Sequence, residues 1–317
     1  MWKYINSQNF ISFLPKSNFG KAENTFDDID EENEELYFFS KIFDKEISNK
    51  IIDESNKYFW EKYNIDDKNK FTKNSYIDLY MKNDGINEKI VFEFIAILLI
   101  MGIVHMPRLV NYWSNDPILN NYIPNIMSKN CFKMIASALH LSMDEEKPLD
   151  YEDDLSNEKK DELDGERNDN LNDPREKINS FLKNIIQNSQ KYYTLGKEIT
   201  IDESMIKFEG RNNMIFYIPS KPIKWGFKLH CLVDSNSNYL YNVIFYPGKD
   251  NKNLIITNDE DSFTENIVLS LVKNIENSGR TLFLDSWYSL IHKLTNKGFR
   301  VVTTLRKNAK NLPNKED

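Results

Sequence analysis

Apolar residues recur at three- and four-residue intervals through the first half of the chain, which is the spacing of amphipathic helices. The predicted N-caps are Asn87, shortly before one of these stretches, and Ser128, at the start of another. The predicted helices cover residues 36–63, 90–106, 128–142 and 173–193. This half of the chain is therefore expected to be mainly α-helical.

The pattern changes after Gly196, where short alternating runs rich in β-branched and aromatic residues predict strands. These strands cover residues 198–206, 225–234, 239–248, 281–285 and 299–306. Helical spacing between them predicts crossover helices at 262–279, with Thr264 as its cap, and at 289–298. The resulting order predicts an α/β fold with a five-stranded mixed sheet, in which the later strands run parallel to the first.

The predicted helix at 90–106 is apolar apart from Glu93 and His105, so membrane insertion is an alternative. A spanning helix needs about 20 apolar residues. This stretch is shorter, Pro107 follows it directly, and no second stretch of the kind occurs. We therefore favour a buried core helix.

Charge is distributed unevenly along the 317 residues. The net charge is −8, so the whole chain lacks the basic character of an obvious nucleic-acid binder. From Gly196 onward, however, 17 Lys and Arg exceed 14 Asp and Glu, and the excess acid lies mostly at 27–35 and 144–166. Acidic runs of this kind are typical of solvated or disordered segments. An alternative for the second run is autoinhibition, in which its acids compete with DNA for a basic face of the protein.

These shifts in pattern and charge divide the chain into five predicted regions. They are a flexible acidic leader (1–35), a helical region (36–143), an acidic disordered linker (144–172), a connecting helix (173–195) and a sheet domain (196–317). The 40 % of hydrophobic residues is enough for a sizeable core.

Cysteine and histidine give no sign of a metal site. The two cysteines, Cys131 and Cys231, are far apart in sequence, and the four histidines are scattered. We therefore expect neither a disulfide framework nor bound zinc. The first residues lack the pattern of a secretory signal, and the composition suits a reducing intracellular compartment.

Two aspartates, Asp202 and Asp285, each end a short apolar strand. If the two strands are parallel neighbours, both carboxylates lie at the same edge of the sheet and repel each other unless a cation lies between them. Oxygen ligands of this kind suit Mg²⁺, and paired ions catalyse phosphodiester chemistry. The alternative is structural: Asp202 caps a turn, and Asp285 caps the helix at 289–298.

Two long segments carry a specific resemblance. "ITIDESMIKFEGRNNMIFYIPSKPIKWGFKLHCLVD" and "TLFLDSWYSLIHKLTNKGFRVVTTLRKNAKNLP" resemble the transposase domain of the piggyBac family. The shared elements are I-D-E, Gly210-Arg211, the spaced lysines between Tyr217 and Lys228, D-x-aromatic-Y-S, and T-x-R-K-N. The resemblance covers roughly 36–313.

This resemblance implies an RNase H-like catalytic domain, preceded by a mainly helical region for DNA binding and dimerisation. Transposases of the family cut and paste DNA at TTAA targets with metal-held aspartates. Asp202 and Asp285 match the first two catalytic acids, both ligands of Mg²⁺ or Mn²⁺, with two ions in a complete site. The expected partner is DNA, with a possible homodimer, in the nucleus; neither a membrane nor a small-molecule cofactor is expected.

The sequence departs from the family pattern in three places. Ser286 replaces the usual Asn after the second Asp. The family's third catalytic Asp follows an insertion after the fifth strand, whereas this sequence ends at Asp317, and the cysteine-rich zinc-binding tail is absent. We therefore expect a chain truncated before the third acid and impaired in catalysis. The alternative is a non-catalytic DNA-binding or interaction protein derived from a transposase.

Basic residues interleaved with Tyr217 and Trp225 are the candidate DNA contacts, because Lys and Arg bind phosphates. The alternative is a solvated face with Trp225 in the core, but the resemblance favours DNA contact. A second basic group near the C-terminus could meet the DNA backbone or simply be solvated. The predicted DNA-binding residues are Arg211, Lys221, Lys224, Lys228, Arg306 and Lys307.

Overall fold

The computed structural model describes residues 3–4, 20–21, 34–63, 75–141, 173–249, 251–256, 258–286 and 290–304. Residue contacts divide the chain into two compact units. The helical unit contains the described residues of 43–153 together with 177–181. The sheet unit contains the described residues of 1–42, 154–176 and 182–317.

Most helices of the first half lie close to the predicted ranges, whereas the helices at Ser75–Lys82 and Ile123–Ile126 were not predicted. The helices are α1 (Glu34–Ile42), α2 (Lys45–Tyr63), α3 (Ser75–Lys82), α4 (Glu88–Ile103), α5 (Ile123–Ile126), α6 (Lys129–Ala138) and α7 (Glu176–Tyr192). Short 3₁₀ turns at Leu109–Trp113 and Pro117–Leu119 connect α4 to α5. The early part of α7 belongs to the helical unit and the later part to the sheet unit.

Local capping explains where these helices start. Asn87 accepts a hydrogen bond from the backbone of Ile90, and Ser128 accepts one from Cys131, which confirms both predicted caps. The predicted helix at 36–63 is instead two helices, α1 and α2. The Asp44 side chain accepts a hydrogen bond from the backbone N of Ile47 at 3.0 Å and so starts a new helix there.

The apolar helix α4 is buried in its first part and exposed toward its C-terminal end. Ile90, Val91, Phe94 and Ile97 are buried, whereas the residues near its C-terminal end are largely exposed. None of the helices in the described part of the chain combines the length and the apolarity required to cross a bilayer.

The second half forms the sheet. Its strands and short pairing segments are β1 (Lys3–Tyr4), β2 (Gly20–Lys21), β3 (Tyr193–Thr194), β4 (Glu198–Lys207), β5 (Ile215–Tyr217), β6 (Trp225–Asp234), β7 (Leu240–Phe245), β8 (Thr281–Leu284) and β9 (Arg300–Thr303). Helices α8 (Phe263–Val272) and α9 (Ile291–Asn296) connect the later strands.

The described strands form a seven-stranded mixed sheet in the order β1-β9-β8-β4-β6-β5, with β7 also paired to β6, and a separate β2–β3 pair. Strand β4 pairs antiparallel with β6 and parallel with β8, and β8 pairs parallel with β9. The predicted mixed α/β sheet is therefore confirmed. The short strands β1 and β5 add to the five predicted from the sequence, because only pairing with β9 and β6 reveals them as strands.

One face of this sheet packs against α8. Its buried core includes Ile199 and Ile201 of β4, Leu282 of β8, and Ile267 and Leu271 of α8. Helix α8 starts at a capping box in which Ser262 and Glu265 bond each other's backbone, so the cap is Ser262 and the predicted cap Thr264 is wrong. The opposite face of the sheet is more open, and it carries the candidate site.

Candidate active site

Asp202 lies on β4 at the point where the buried part of the strand ends. Ile199 and Ile201 point into the core, and Asp202, the next residue, is exposed. Successive side chains of a strand point to opposite faces, so Asp202 lies on the face away from α8. Its Oδ1 accepts a hydrogen bond from the backbone N of Glu203 at 2.7 Å.

Asp285 follows β8 and lies beside Asp202 in the register of the sheet. Strands β4 and β8 are parallel, with Ile201 opposite Leu284, so the next residue of each strand is an aspartate. The structure thus brings together the two acids that the sequence singled out. Both are exposed.

Asp285 is held by the end of the neighbouring strand. Its Oδ1 accepts hydrogen bonds from the backbone N of Ser286 at 2.6 Å and from Thr304 Oγ1 at 3.0 Å. The Ser286 backbone N also donates to Thr304 Oγ1 at 3.1 Å. Thr304 opens the T-x-R-K-N motif, but its role was not predicted, because its contact with Asp285 depends on the parallel pairing of β8 with β9.

Cys231 lies opposite Asp202 on β6 and shares its face of the sheet. Burial, and after it the negative charge of Asp202, raises the pKa of the Cys231 thiol to about 11. Cys231 therefore stays protonated near neutral pH in the metal-free protein.

The two aspartates fit a hard divalent cation. They supply oxygen donors at one exposed edge, and within the described residues the Oδ2 atoms of both make no hydrogen bond. In the part of the chain that the structure describes, no cluster of three or more metal-ligating side chains occurs. The described site is thus an aspartate pair.

Lys228, a predicted DNA contact, lies inside the protein. Its side chain is 8 % exposed, and its Nζ is 2.8 Å from Oε1 of Glu203, which is 18 % exposed. Alternation along β4 and β6 places this ion pair on the face of the sheet opposite to Asp202. A lysine enclosed in this way is not presented to a phosphate, so the structure favours a structural role for Lys228.

The other described basic residues among the predicted DNA contacts lie in the segment of the chain between β4 and β6. Arg211 and Lys224 are exposed. Lys221 is half-buried, and its Nζ donates to the backbone O of Glu203 at 3.4 Å. Trp225 is 56 % exposed, and its ring packs at 4.5 Å from that of Tyr217, so it is a surface residue. The predicted contacts Arg306 and Lys307 lie outside the described residues, as do the linker and most of the leader.

A family model described as "Transposase IS4" matches residues 34–316. The chain belongs to this transposase family. The match extends from the first helix of the structure past both aspartates, so the sequence-based expectation of a transposase is confirmed.

A solved structure supports the fold assignment. The protein is similar to a piggyBac transposase whose cryo-EM structure is a synaptic complex with hairpin DNA, with a TM-score of 0.71 and 22 % sequence identity. The match covers 94 % of this chain and 55 % of the other, so this chain spans about half the length of that relative. The predicted RNase H-like fold, with its mixed sheet and helices, is confirmed by this similarity.

Proposed function

We propose that this protein is a piggyBac-like DNA transposase whose sheet unit cleaves and joins phosphodiester bonds. The observation that carries the proposal is the parallel register of β4 and β8, which sets Asp202 and Asp285 side by side at an exposed edge. Membership of the transposase family agrees with this chemistry.

Asp202 and Asp285 would hold the divalent ion, Mg²⁺ or Mn²⁺, and a complete site would take two such ions. Bound ions of this kind activate an attacking oxygen and stabilise the leaving oxygen. The chain's own contribution is orientation. The Glu203 backbone directs one carboxylate, while Ser286 and Thr304 direct the other.

DNA is the proposed partner, and the surface around Arg211 and Lys224 is the proposed phosphate contact, because both cations are exposed. Lys221 would contribute less, since it is half-buried against Glu203. Lys228 is left out of this surface because of its buried ion pair. Arg306 and Lys307 stay a prediction from the sequence.

The test compares the parent with Asp285→Asn in two assays. Mn²⁺ binding is followed by the loss of the free-ion electron paramagnetic resonance signal, and nicking is followed on supercoiled plasmid with Mg²⁺ or Mn²⁺. We expect the parent, whose described site is a pair of acids, to nick DNA weakly, and Asp285→Asn to lose both metal binding and this weak nicking, because it removes one of two charged ligands. Asp259→Asn removes the same charge from an exposed turn and should change neither.

The alternative function gives a different result. A non-catalytic, transposase-derived protein would bind DNA with a salt-dependent affinity, show no metal-dependent nicking, and be indifferent to both substitutions. Metal binding and nicking that persist in Asp285→Asn would refute the proposed site.

The finer parts of the proposal follow from the family resemblance. TTAA is the proposed target, a homodimer the proposed assembly, and the nucleus the proposed location. Each has its own measurement: sequencing of integration junctions, mass determination in solution, and imaging of a tagged chain. Integration without a preference for TTAA would refute the proposed target.

A further inference from the structure

A cavity of about 550 Å³ opens at the end of the sheet where β4 leaves β6. Its walls include the aromatic rings of Phe208 and Trp225 and the side chain of Ile215. These aromatic rings are not enclosed in the core, since Phe208 is 36 % exposed and Trp225 is 56 % exposed. An exposed pair of large aromatic side chains around a cavity is typical of a ligand site.

The local sequence holds the Phe208 ring in this wall. A side chain at Gly210 would place its Cβ 2.6 Å from the ring, so the glycine lets Phe208 keep this position over the loop. The ring also contacts the tilted ring of Phe227, with ring centroids 4.7 Å apart. The ring is therefore supported from within the sheet and from the loop.

Polar groups complete the cavity. Arg211, Asn212 and Glu209 line it together with the aromatic rings. The Oδ1 of Asn212 accepts a hydrogen bond from the backbone N of Met214 at 2.9 Å, which leaves its NH₂ group able to donate to a ligand. Glu209 pairs with Lys207 at 2.9 Å. Flat apolar walls with donors and an acceptor at the rim match the face and the edge of a nucleobase.

The cavity lies on the same face of the sheet as the two aspartates. Asp202 is opposite Cys231 on β6, and Trp225 lies six residues before Cys231, so alternation places both on the open face. Six residues of strand span roughly 20 Å. That length corresponds to about six nucleotides of a DNA strand, so one bound DNA segment can reach both places.

We propose that this cavity binds an unpaired nucleobase of the DNA substrate, stacked on the aromatic wall that includes Trp225, while the aspartate pair engages a phosphate farther along the same strand. The proposal rests on the proposed DNA transposase function. It adds a specific substrate feature, because a base can enter the cavity only where it has left the double helix.

The test uses two DNA duplexes that differ only in one nucleotide. Both carry the fluorescent base 2-aminopurine, either paired or in a single-nucleotide bulge, and binding is measured in EDTA so that no strand is cut. The parent should bind the bulged duplex more tightly and quench its fluorescence. Trp225→Leu should lower affinity for the bulged duplex on the order of tenfold, while its affinity for the paired duplex stays unchanged.

Two further variants separate stacking from folding. Trp225→Phe keeps an aromatic face and should restore the preference for the bulge. Leu240→Ala removes an apolar side chain that is 46 % exposed on β7, away from the cavity lining, and it should behave like the parent. Loss of bulge preference in Trp225→Leu with recovery in Trp225→Phe supports the proposal.

The remaining outcomes overturn the inference in distinguishable ways. A parent that binds both duplexes equally, or a Trp225→Leu variant that weakens both equally, shows a general DNA surface and no base site, and leaves the transposase function standing. A parent without salt-dependent binding to either duplex overturns the base site together with the proposed DNA function.

Discussion

Replacing Lys228 tests whether this lysine supports the sheet or contacts DNA. In the structure its Nζ lies 2.8 Å from Glu203 Oε1, and the two side chains are only 8 % and 18 % exposed. It also lies 5.4 Å from the centroid of the Phe216 ring. Lys228→Met keeps most of the side-chain volume and removes the charge, which leaves the Glu203 carboxylate in a largely buried place.

The magnitude follows from distance and burial. At an effective dielectric constant of 20, two charges 2.8 Å apart attract by about 6 kcal/mol, and desolvation of both ions offsets most of this. Removing one partner leaves the desolvation cost of the other uncompensated, so Lys228→Met should lower the free energy of unfolding by about 3 kcal/mol. Replacing both Glu203 and Lys228 by Met should cost less than the sum of the two single changes.

Urea unfolding followed by circular dichroism measures these differences, and fluorescence anisotropy measures DNA affinity in the same variants. The exposed pair Lys207–Glu209 is a matched control at 2.9 Å, and replacing either partner by Met should leave the unfolding midpoint unchanged. A different result would contradict the structural role: Lys228→Met unfolds at the parent midpoint, and its DNA affinity is lower and less dependent on salt. Lys228 would then contact DNA, and the ion pair with Glu203 would not stabilise the sheet.

Three further changes test the fold around the site. Gly226→Ala should disrupt the end of the β4–β6 pairing and lower the unfolding midpoint, because the new Cβ would lie 2.0 Å from the backbone O of Ile206. Burial, and after it the charge of Lys228, lowers the pKa of His230 from 6.5 to about 3. As the pH is lowered, the unfolded chain therefore takes up a proton on His230 before the folded chain does. The free energy of unfolding should fall as the pH decreases from 6.5 to 3, by up to about 1.4 kcal/mol per pH unit. Ser262→Ala should cost about 1 kcal/mol in urea unfolding, because it removes the cap of α8.

Each of these changes has a control. Gly102→Ala places its Cβ in open space within α4 and should not destabilise the protein, because alanine favours helix over glycine. His230→Gln should abolish the contribution of His230 to the pH dependence of the free energy of unfolding. The same substitution at the exposed His292 should leave that contribution unchanged. For α8, Thr264→Ala should cost less than Ser262→Ala, since Thr264 is not the cap; equal costs would contradict the assignment.

Short-range patterns in the sequence were enough to place the two acids. The apolar runs before Asp202 and Asp285 predict strands, and the helical stretch between them predicts a crossover and a parallel pairing, which the register confirms. The caps at Asn87 and Ser128 were equally predictable, because a capping side chain bonds a backbone N–H only three residues away.

Contacts between residues distant in sequence needed the tertiary structure. The motif that contains Lys228 looks like an exposed basic stretch. Side chains alternate along β6, however, so that Lys228 points into the interior and pairs with Glu203. The hydrogen bond from Thr304 to Asp285 and the cavity between Phe208 and Trp225 likewise arise where separate strands meet. The strands and the acids at their ends can be predicted from the sequence, because they depend on neighbouring residues. Which side chains face each other depends on the folded structure, because a strand's partner and register set the face on which each residue lies.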